Sequence, residues 1–90
     1  DKILYAILKE IDKGNRDFDH NDFGIDQDEF MDILRYAHRE KYIDEVTYAD
    51  NIVYFYGNAT ITSLGKEYLA SNSKWAKAYK TLKEVRDWIK

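Results

Sequence analysis

The spacing of hydrophobic residues changes along this chain from a helical period to an alternating one and back, and that pattern limits the folds open to it. In residues 3–11 and 30–37, apolar side chains recur every three or four positions, as on the buried face of a helix. Residues 46–48 and 52–56 follow the period of two that is typical of strands, and the polar step between them indicates a hairpin. The chain has 90 residues, which supports a single domain spanning 1–90. We therefore predict a mainly α fold with a small β-hairpin, in the α+β class.

Start and stop signals set the predicted helix ends. Gly14 follows the first apolar stripe and ends that helix. Asp26 and Glu29 form the pattern of a capping box, which marks the start of the third helix. The predicted elements are a helix over 1–13, a short helix over 20–24, a helix over 26–41, a hairpin over 46–56, a helix over 63–71 and an amphipathic helix over 74–90. Three helices followed by a two-stranded wing are the plan of a winged helix-turn-helix, here with an extra C-terminal helix.

The net charge of −3 conceals an uneven distribution. Residues 1–50 carry 14 acidic and seven basic residues, whereas residues 51–90 carry three acidic and seven basic ones. The two parts therefore carry formal charges of −7 and +4. Such asymmetry bears on binding partners more than on fold.

Few residues of this chain have a type and spacing suited to catalysis or metal binding. Cysteine is absent, which excludes thiol nucleophiles and cysteine-ligated metals. The only histidines, His20 and His38, fall on different predicted elements. The acids of residues 17–22 resemble the start of a calcium loop, but both counting registers lack the required glycine and glutamate. We expect no enzymatic activity, no metal, no cofactor and no small-molecule substrate.

Several segments resemble one known family. They are Asp-Phe-Gly-Ile at 22–25, Tyr-Ala-Asp-Asn at 48–51, Thr-Ser-Leu-Gly-Lys-Glu-Tyr-Leu at 62–69 and, most specifically, residues 75–89 from Trp75 to Ile89. Together they resemble the YjcQ-like family of small winged-helix proteins from bacterial genomes and their resident phages. That family tends to have glycine where this sequence has Lys41. The resemblance implies a fold and a phage association, and it brings no functional residues with it.

The first functional hypothesis is a DNA-binding phage regulator. In this fold the third helix normally enters the major groove while the wing contacts the backbone. The residues available for that role are Arg35, His38 and Arg39 on the third helix, and Lys77, Lys80 and Lys83 on the last helix. Asp32 stands three residues before Arg35 and is placed to neutralise it. The acids at the start of the third helix, and a wing without Lys or Arg, oppose this hypothesis.

The alternative hypothesis is a protein-interaction module that does not bind DNA. Its surface is either the acidic face containing Asp28 and Asp32, or the aromatic C-terminal helix with Trp75, Tyr79 and Trp88. That helix offers a seam for a homodimer, so a monomer and a dimer both remain open. The expected partner is DNA, or a host or phage protein. The longest apolar run, residues 52–56, is too short to cross a membrane, so we expect a cytoplasmic protein. The family resemblance implies that its host is a bacterium.

Overall fold

The computed structural model describes residues 2–15, 17–49, 52–55 and 58–81. In order along the chain, its elements are helix α1 (Lys2–Asp12), a 3₁₀ turn (His20–Phe23), helix α2 (Gln27–Arg39), strands β1 (Ile43–Asp44), β2 (Thr47–Ala49), β3 (Ile52–Phe55) and β4 (Thr60–Ile61), helix α3 (Ser63–Ser71) and a second 3₁₀ turn (Ser73–Trp75). Residues 76–81 are helical. The protein is thus mainly helical, with small antiparallel β pairing.

Helix α1 supplies the centre of the core. Its apolar stripe buries Leu4, Ile7, Leu8 and Ile11, of which Ile7 and Leu8 have no exposed surface. Gly14 follows the helix with φ of 87°, a left-handed conformation that glycine adopts without steric cost. The stripe predicted from helical spacing is therefore the face on which the rest of the chain packs.

Helix α2 begins at the predicted cap. Asp26 lies in extended conformation, and its side chain accepts a hydrogen bond of 2.8 Å from the Glu29 amide. Phe30, Leu34 and Ala37 are buried against the core. The helix ends at Arg39, two residues before the predicted end at 41.

The early end of α2 comes from the backbone of Lys41. This residue has φ of 64°, so it lies in the left-handed region and cannot continue the helix. Its amide donates to the His38 carbonyl at 3.0 Å, and the Tyr42 amide donates to the Ala37 carbonyl at 2.9 Å. These two bonds form a Schellman motif, whose left-handed position is usually glycine.

The predicted hairpin is longer than its sequence pattern indicates. Strands β2 and β3 pair antiparallel within the predicted 46–56 range. A second antiparallel pair joins β1 to β4, with Ile43 opposite Ile61 and Asp44 opposite Thr60. Glu45, with φ of 62°, lies between β1 and β2. The two-residue strands β1 and β4 are too short to produce a recognisable period in the sequence, so they were not predicted. Asp50 and Asn51 of the predicted turn lie outside the described residues.

Helix α3 has the bounds predicted from sequence, and it begins against the end of α2. Thr62 caps it by accepting a hydrogen bond of 3.1 Å from the Gly65 amide. The Thr62 amide donates to the Tyr42 carbonyl at 3.0 Å. A β-carbon at Gly65 would lie 2.3 Å from that same carbonyl oxygen, so only glycine permits this approach. The junction of α2 and α3 is therefore closely packed and specified by a few residues.

The last predicted helix begins differently from the prediction of 74–90. Residues 73–75 form a 3₁₀ turn, and α-helical geometry starts at Ala76. Asn72 makes no side-chain cap there, because its side chain donates instead to the Tyr68 carbonyl of α3 at 2.9 Å. Residues 82–90 of this predicted helix lie outside the described residues.

A single cluster of buried apolar residues joins these elements. Three aromatic rings pack together within this cluster: the centroids of Phe18, Phe23 and Phe30 lie 5.8–6.2 Å apart. The buried set is Leu4, Tyr5, Ala6, Ile7, Leu8, Ile11, Phe18, Phe23, Phe30, Leu34, Ala37, Ile43, Ala59 and Leu69. Within the described part of the chain, no helix is both long enough and apolar enough to cross a lipid bilayer.

Candidate functional site

The exposed side of helix α2 is acidic in its first half. Asp28, Glu29 and Asp32 are all solvent-exposed. Acids in a first helical turn stabilise the helix through its dipole, which gives Asp28 and Glu29 a structural role of their own. Together they nevertheless leave a negative potential on the part of α2 that a recognition helix would present to DNA.

The side chains of α2 that were predicted to contact DNA each interact with another side chain of the chain. Arg35 forms the predicted ion pair with Asp32. The Arg39 guanidinium lies over the ring of Tyr36, 5.5 Å from its centroid. His38 stacks on Tyr48 with ring centroids 5.3 Å apart. The candidate DNA contacts are therefore brought together on one helix, but they are not presented free.

Strand β2 of the hairpin approaches α2 through Tyr48. A hydrogen bond of 2.7 Å joins His38 Nδ1 to the Tyr48 hydroxyl, in addition to the stacking. Burial raises the pKa of the Tyr48 hydroxyl, and nearby Arg35 partly offsets that rise. The hairpin thus covers part of the helical face that the DNA hypothesis requires.

A groove of about 430 Å³ lies on the other side of α2. Leu4 and Ile33 line it with apolar surface, Tyr36 and Tyr68 with aromatic rings, and Asn72 with an amide. The carboxylates of Glu29 and Asp32 stand at the same groove. An apolar and aromatic groove with nearby negative charges has the composition of a site for a partly apolar, positively charged ligand.

The tyrosines around this groove form a connected cluster. Tyr42 and Tyr68 have ring centroids 4.9 Å apart, and Tyr36 meets Tyr42 edge-on at 6.4 Å. Burial raises the pKa of Tyr68 above its ordinary value of 10.0, and the Tyr42 and Tyr36 hydroxyls raise it further. The pKa of Tyr42 is raised in the same way, by burial and by its neighbours Tyr36 and Glu40. Near neutral pH the Tyr68 phenol of the groove is therefore neutral, and the acidic side chains at the groove are the carboxyl groups of Glu29 and Asp32.

A second cleft lies at the C-terminal end of α2. His38, Arg39 and Lys41 line it from α2 and the residues that follow. Other sections of the chain complete the lining with Ile43, Asp44, Thr62, Ser63 and Leu64. The cations of this cleft sit at the end of α2 opposite to the acids of its first turns.

The predicted C-terminal site is only partly described. Trp75 and Tyr79 pack against the core and are half-buried. Tyr79 contacts Tyr5 edge-on at 6.4 Å and accepts a hydrogen bond of 3.2 Å from Lys13 Nζ. Lys77 and Lys80 are exposed on the helical residues 76–81. Lys83 and Trp88 lie outside the described residues. Tyr79 therefore joins this segment to α1, while both described aromatics keep part of their surface exposed.

The described ranges contain no group of three or more His, Cys, Asp or Glu side chains able to hold a metal ion. His20 lies apart from His38, and its Nδ1–H donates to the Ile25 carbonyl at 3.1 Å.

Sequence reasoning missed the residues that complete both cavities. Tyr36 and Tyr68 lie on different helices, and no motif connects them. Lys41 joins His38 and Arg39 only because the left-handed turn at Lys41 places the end of α2 beside Ser63. The off-stripe position of Tyr36 on α2 was the one available signal for the groove.

Comparisons with known proteins agree with the resemblance seen in the sequence. A family model described as "YjcQ protein" matches residues 5–88. The chain belongs to the YjcQ family. A Bacillus subtilis (strain 168) relative, with the name "Uncharacterized protein YjcQ", is 46% identical over 91 residues, which cover 100% of this chain and 97% of the relative.

A solved member of the family has a similar fold. The solution NMR structure of the YjcQ protein from Bacillus subtilis superposes with a TM-score of 0.70 at 39% identity, over 81% of this chain and 95% of that one. The family assignment thus covers sequence and backbone alike, and it supports the α+β fold described above.

Proposed function

We propose that this protein is a non-enzymatic binding module that receives a basic segment of a partner protein in the groove between α1, α2 and α3. The observation that carries this proposal is the lining of the groove, where Glu29 and Asp32 stand beside Tyr36 and Tyr68. Carboxylates near exposed aromatic rings favour a ligand that combines cationic and apolar groups, because each part finds a matching surface.

The chain itself shows that one of these rings accepts a cation. Arg39 places its guanidinium 5.5 Å from the Tyr36 centroid within the same molecule. Tyr36 is 40% exposed, which leaves part of its surface open to a partner. A lysine or arginine of that partner would meet the carboxylate of Glu29 nearby, and such pairing adds specificity and association rate.

The finer architecture belongs to the same proposal. The order of three helical segments, an antiparallel hairpin and a further helix supports a winged helix-turn-helix arrangement with an added C-terminal segment. In such an arrangement α2 takes the place of the recognition helix. The resemblance to bacterial and phage proteins points to a partner in the bacterial cytoplasm, either a host or a phage protein.

DNA binding is the second candidate function. It is supported by the cationic cleft that His38, Arg39 and Lys41 line at the end of α2. The exposed acids of α2 and the ion pair of Arg35 with Asp32 weigh against contact by the whole helix. We therefore place peptide binding first and treat the cleft separately below.

A charge-reversal pair tests the peptide groove. The probe is a fluorescein-labelled peptide of alternating lysine and leucine, and a glutamate–leucine peptide serves as its charge control. We expect Glu29→Lys to weaken binding of the basic peptide by about tenfold, which corresponds to about 1.4 kcal/mol. Asp28→Lys is the matched control, since Asp28 shares the first turn of α2 but does not line the groove.

Tyr36→Ser adds a test that does not depend on net charge. It should weaken the peptide complex while binding of the acidic peptide stays undetectable. Equal loss in Asp28→Lys and Glu29→Lys would show that only overall charge matters, and it would refute the groove as the binding site. Light scattering of the same samples tests whether the protein is a monomer or a dimer.

A further inference from the structure

The cleft at the junction of α2 and α3 has a surface chemistry opposite to that of the groove. Arg39 and Lys41 are exposed cations at its edge, and His38 is half-buried beside them. Ser63 adds an exposed hydroxyl. Among the described residues of the lining, the one acidic side chain is Asp44, which accepts a hydrogen bond of 3.0 Å from the Glu45 amide. The lining is therefore net positive within a chain whose first half is strongly acidic.

The backbone at the junction holds these groups in place. The Thr62 amide and hydroxyl donate to the carbonyls of Tyr42 and Lys41, respectively. Gly65 packs directly against the Tyr42 carbonyl. The contacts of Thr62 and Gly65 thus hold the left-handed turn at Lys41 in place. The fold therefore sets the spacing between Arg39, Lys41 and Ser63.

We infer that this cleft binds the phosphodiester backbone of a nucleic acid. Arginine, lysine and serine are side chains that commonly contact backbone phosphates. The cleft has a volume of about 610 Å³, and its polar lining residues are exposed or half-buried. A free phosphate ion in such a wet site gains little, since water screens each contact. A polyanion gains affinity even there, because each phosphate contact releases a condensed counterion.

This inference stands apart from the peptide groove and does not rest on it. Arg39 of the cleft also lies over Tyr36 of the groove, so the cleft is tested at Lys41 and Asp44, which do not line the groove. Contact through so few phosphates predicts weak binding without sequence preference. The dissociation constant should be about 100 µM or tighter at about 50 mM salt, and it should weaken as salt rises.

Single-residue changes of charge test the cleft directly. The measurement is the anisotropy of a fluorescein-labelled, random-sequence DNA duplex at low and moderate salt. Lys41→Gly should weaken binding by about three- to tenfold and lower the salt slope by about one phosphate contact. This variant keeps the fold, because glycine suits the φ of 64° at position 41. Lys66→Gln removes the same charge from an exposed position on α3 outside the cleft, and it should have little effect.

Asp44→Asn provides the opposite change. It removes the negative charge from the cleft while keeping an oxygen that can accept the hydrogen bond from the Glu45 amide. Duplex binding should become about three- to tenfold tighter.

Three results would overturn the inference. The first is the absence of binding by the unaltered protein at about 100 µM under low salt. The second is an equal loss of duplex affinity in Lys41→Gly and Lys66→Gln, which would show that binding depends on the net charge of the protein and not on the cleft. The third is displacement of the duplex by inorganic phosphate at matched ionic strength, which would make the cleft a site for a free anion.

Discussion

Lys41 occupies the left-handed position at the end of α2, and replacing it with glycine tests how the helix terminates. Its φ of 64° places an L-residue where the β-carbon crowds the backbone, at a cost of about 1–2 kcal/mol. The Schellman bonds of the Lys41 and Tyr42 amides hold the residue in that conformation.

The expected gain follows from two opposing contributions. Glycine removes the steric cost of the left-handed backbone, but it also increases the entropy of the unfolded chain by about 0.4–1 kcal/mol. Replacing Lys41 with glycine or with alanine also removes a positive charge near the C-terminus of α2, and that charge is worth about 0.3–1 kcal/mol at an exposed site. Lys41→Ala loses the same charge and keeps the strain, so it is the proper reference. Relative to it, Lys41→Gly should be more stable by about 0.5–1 kcal/mol.

The assay is urea denaturation of both variants, followed by circular dichroism. For a domain of this size, the expected gain in the free energy of unfolding would also raise the melting temperature of the glycine variant by about 2–8 °C. The denaturant slope should not differ between the two, because neither change alters the surface exposed on unfolding. Equal or lower stability of Lys41→Gly would refute the left-handed assignment of Lys41.

Three further predictions concern stability. Gly65→Ala should lose about 2–3 kcal/mol in urea denaturation, because its β-carbon would lie 2.3 Å from the Tyr42 carbonyl oxygen and 2.7 Å from Ile61 Cγ1; unchanged stability would show that α3 can move away from that carbonyl. Asp26→Ala should lose about 1 kcal/mol by removing the cap of α2, and the same denaturation series checks it. The raised pKa of Tyr68 lets the folded state keep a proton that the unfolded state releases, so stability should fall as pH rises past about 10. Tyr68→Phe should reduce that fall between pH 8 and pH 11, and parallel curves for the two proteins would contradict the assignment.

The helices show how much local sequence determines. The stripe of α1, with Ile7 and Leu8 at its centre, and the cap at Asp26 act within one or two helical turns. Such signals need no distant partner, so the positions of α1, α2 and α3 follow from the sequence within about two residues at each end. The Asp32–Arg35 pair was predictable for the same reason, since residues three apart lie on one face of a helix.

Strands β1 and β4 show where local sequence becomes insufficient. Each has two residues, and Ile43 pairs with Ile61, which follows it in sequence only after the whole hairpin of β2 and β3. No periodicity exists in so short a segment, and the pairing depends on contacts distant along the chain. The start of the last helix differs for a local reason, because the Asn72 side chain donates to the Tyr68 carbonyl four residues earlier and does not cap the following helix.

The two cavities on α2 are properties of tertiary structure. Sequence alone predicted the helices, the hairpin and an acidic first half, because composition and short-range patterns determine these features. Only the packed structure brought Tyr36 and Tyr68 to one groove and Lys41 and Ser63 to one cleft. It also placed Tyr48 against His38 and so covered part of the face expected to contact DNA. The physical reason is that a binding surface joins side chains from separate elements, and their distances are set by packing of the core beneath them.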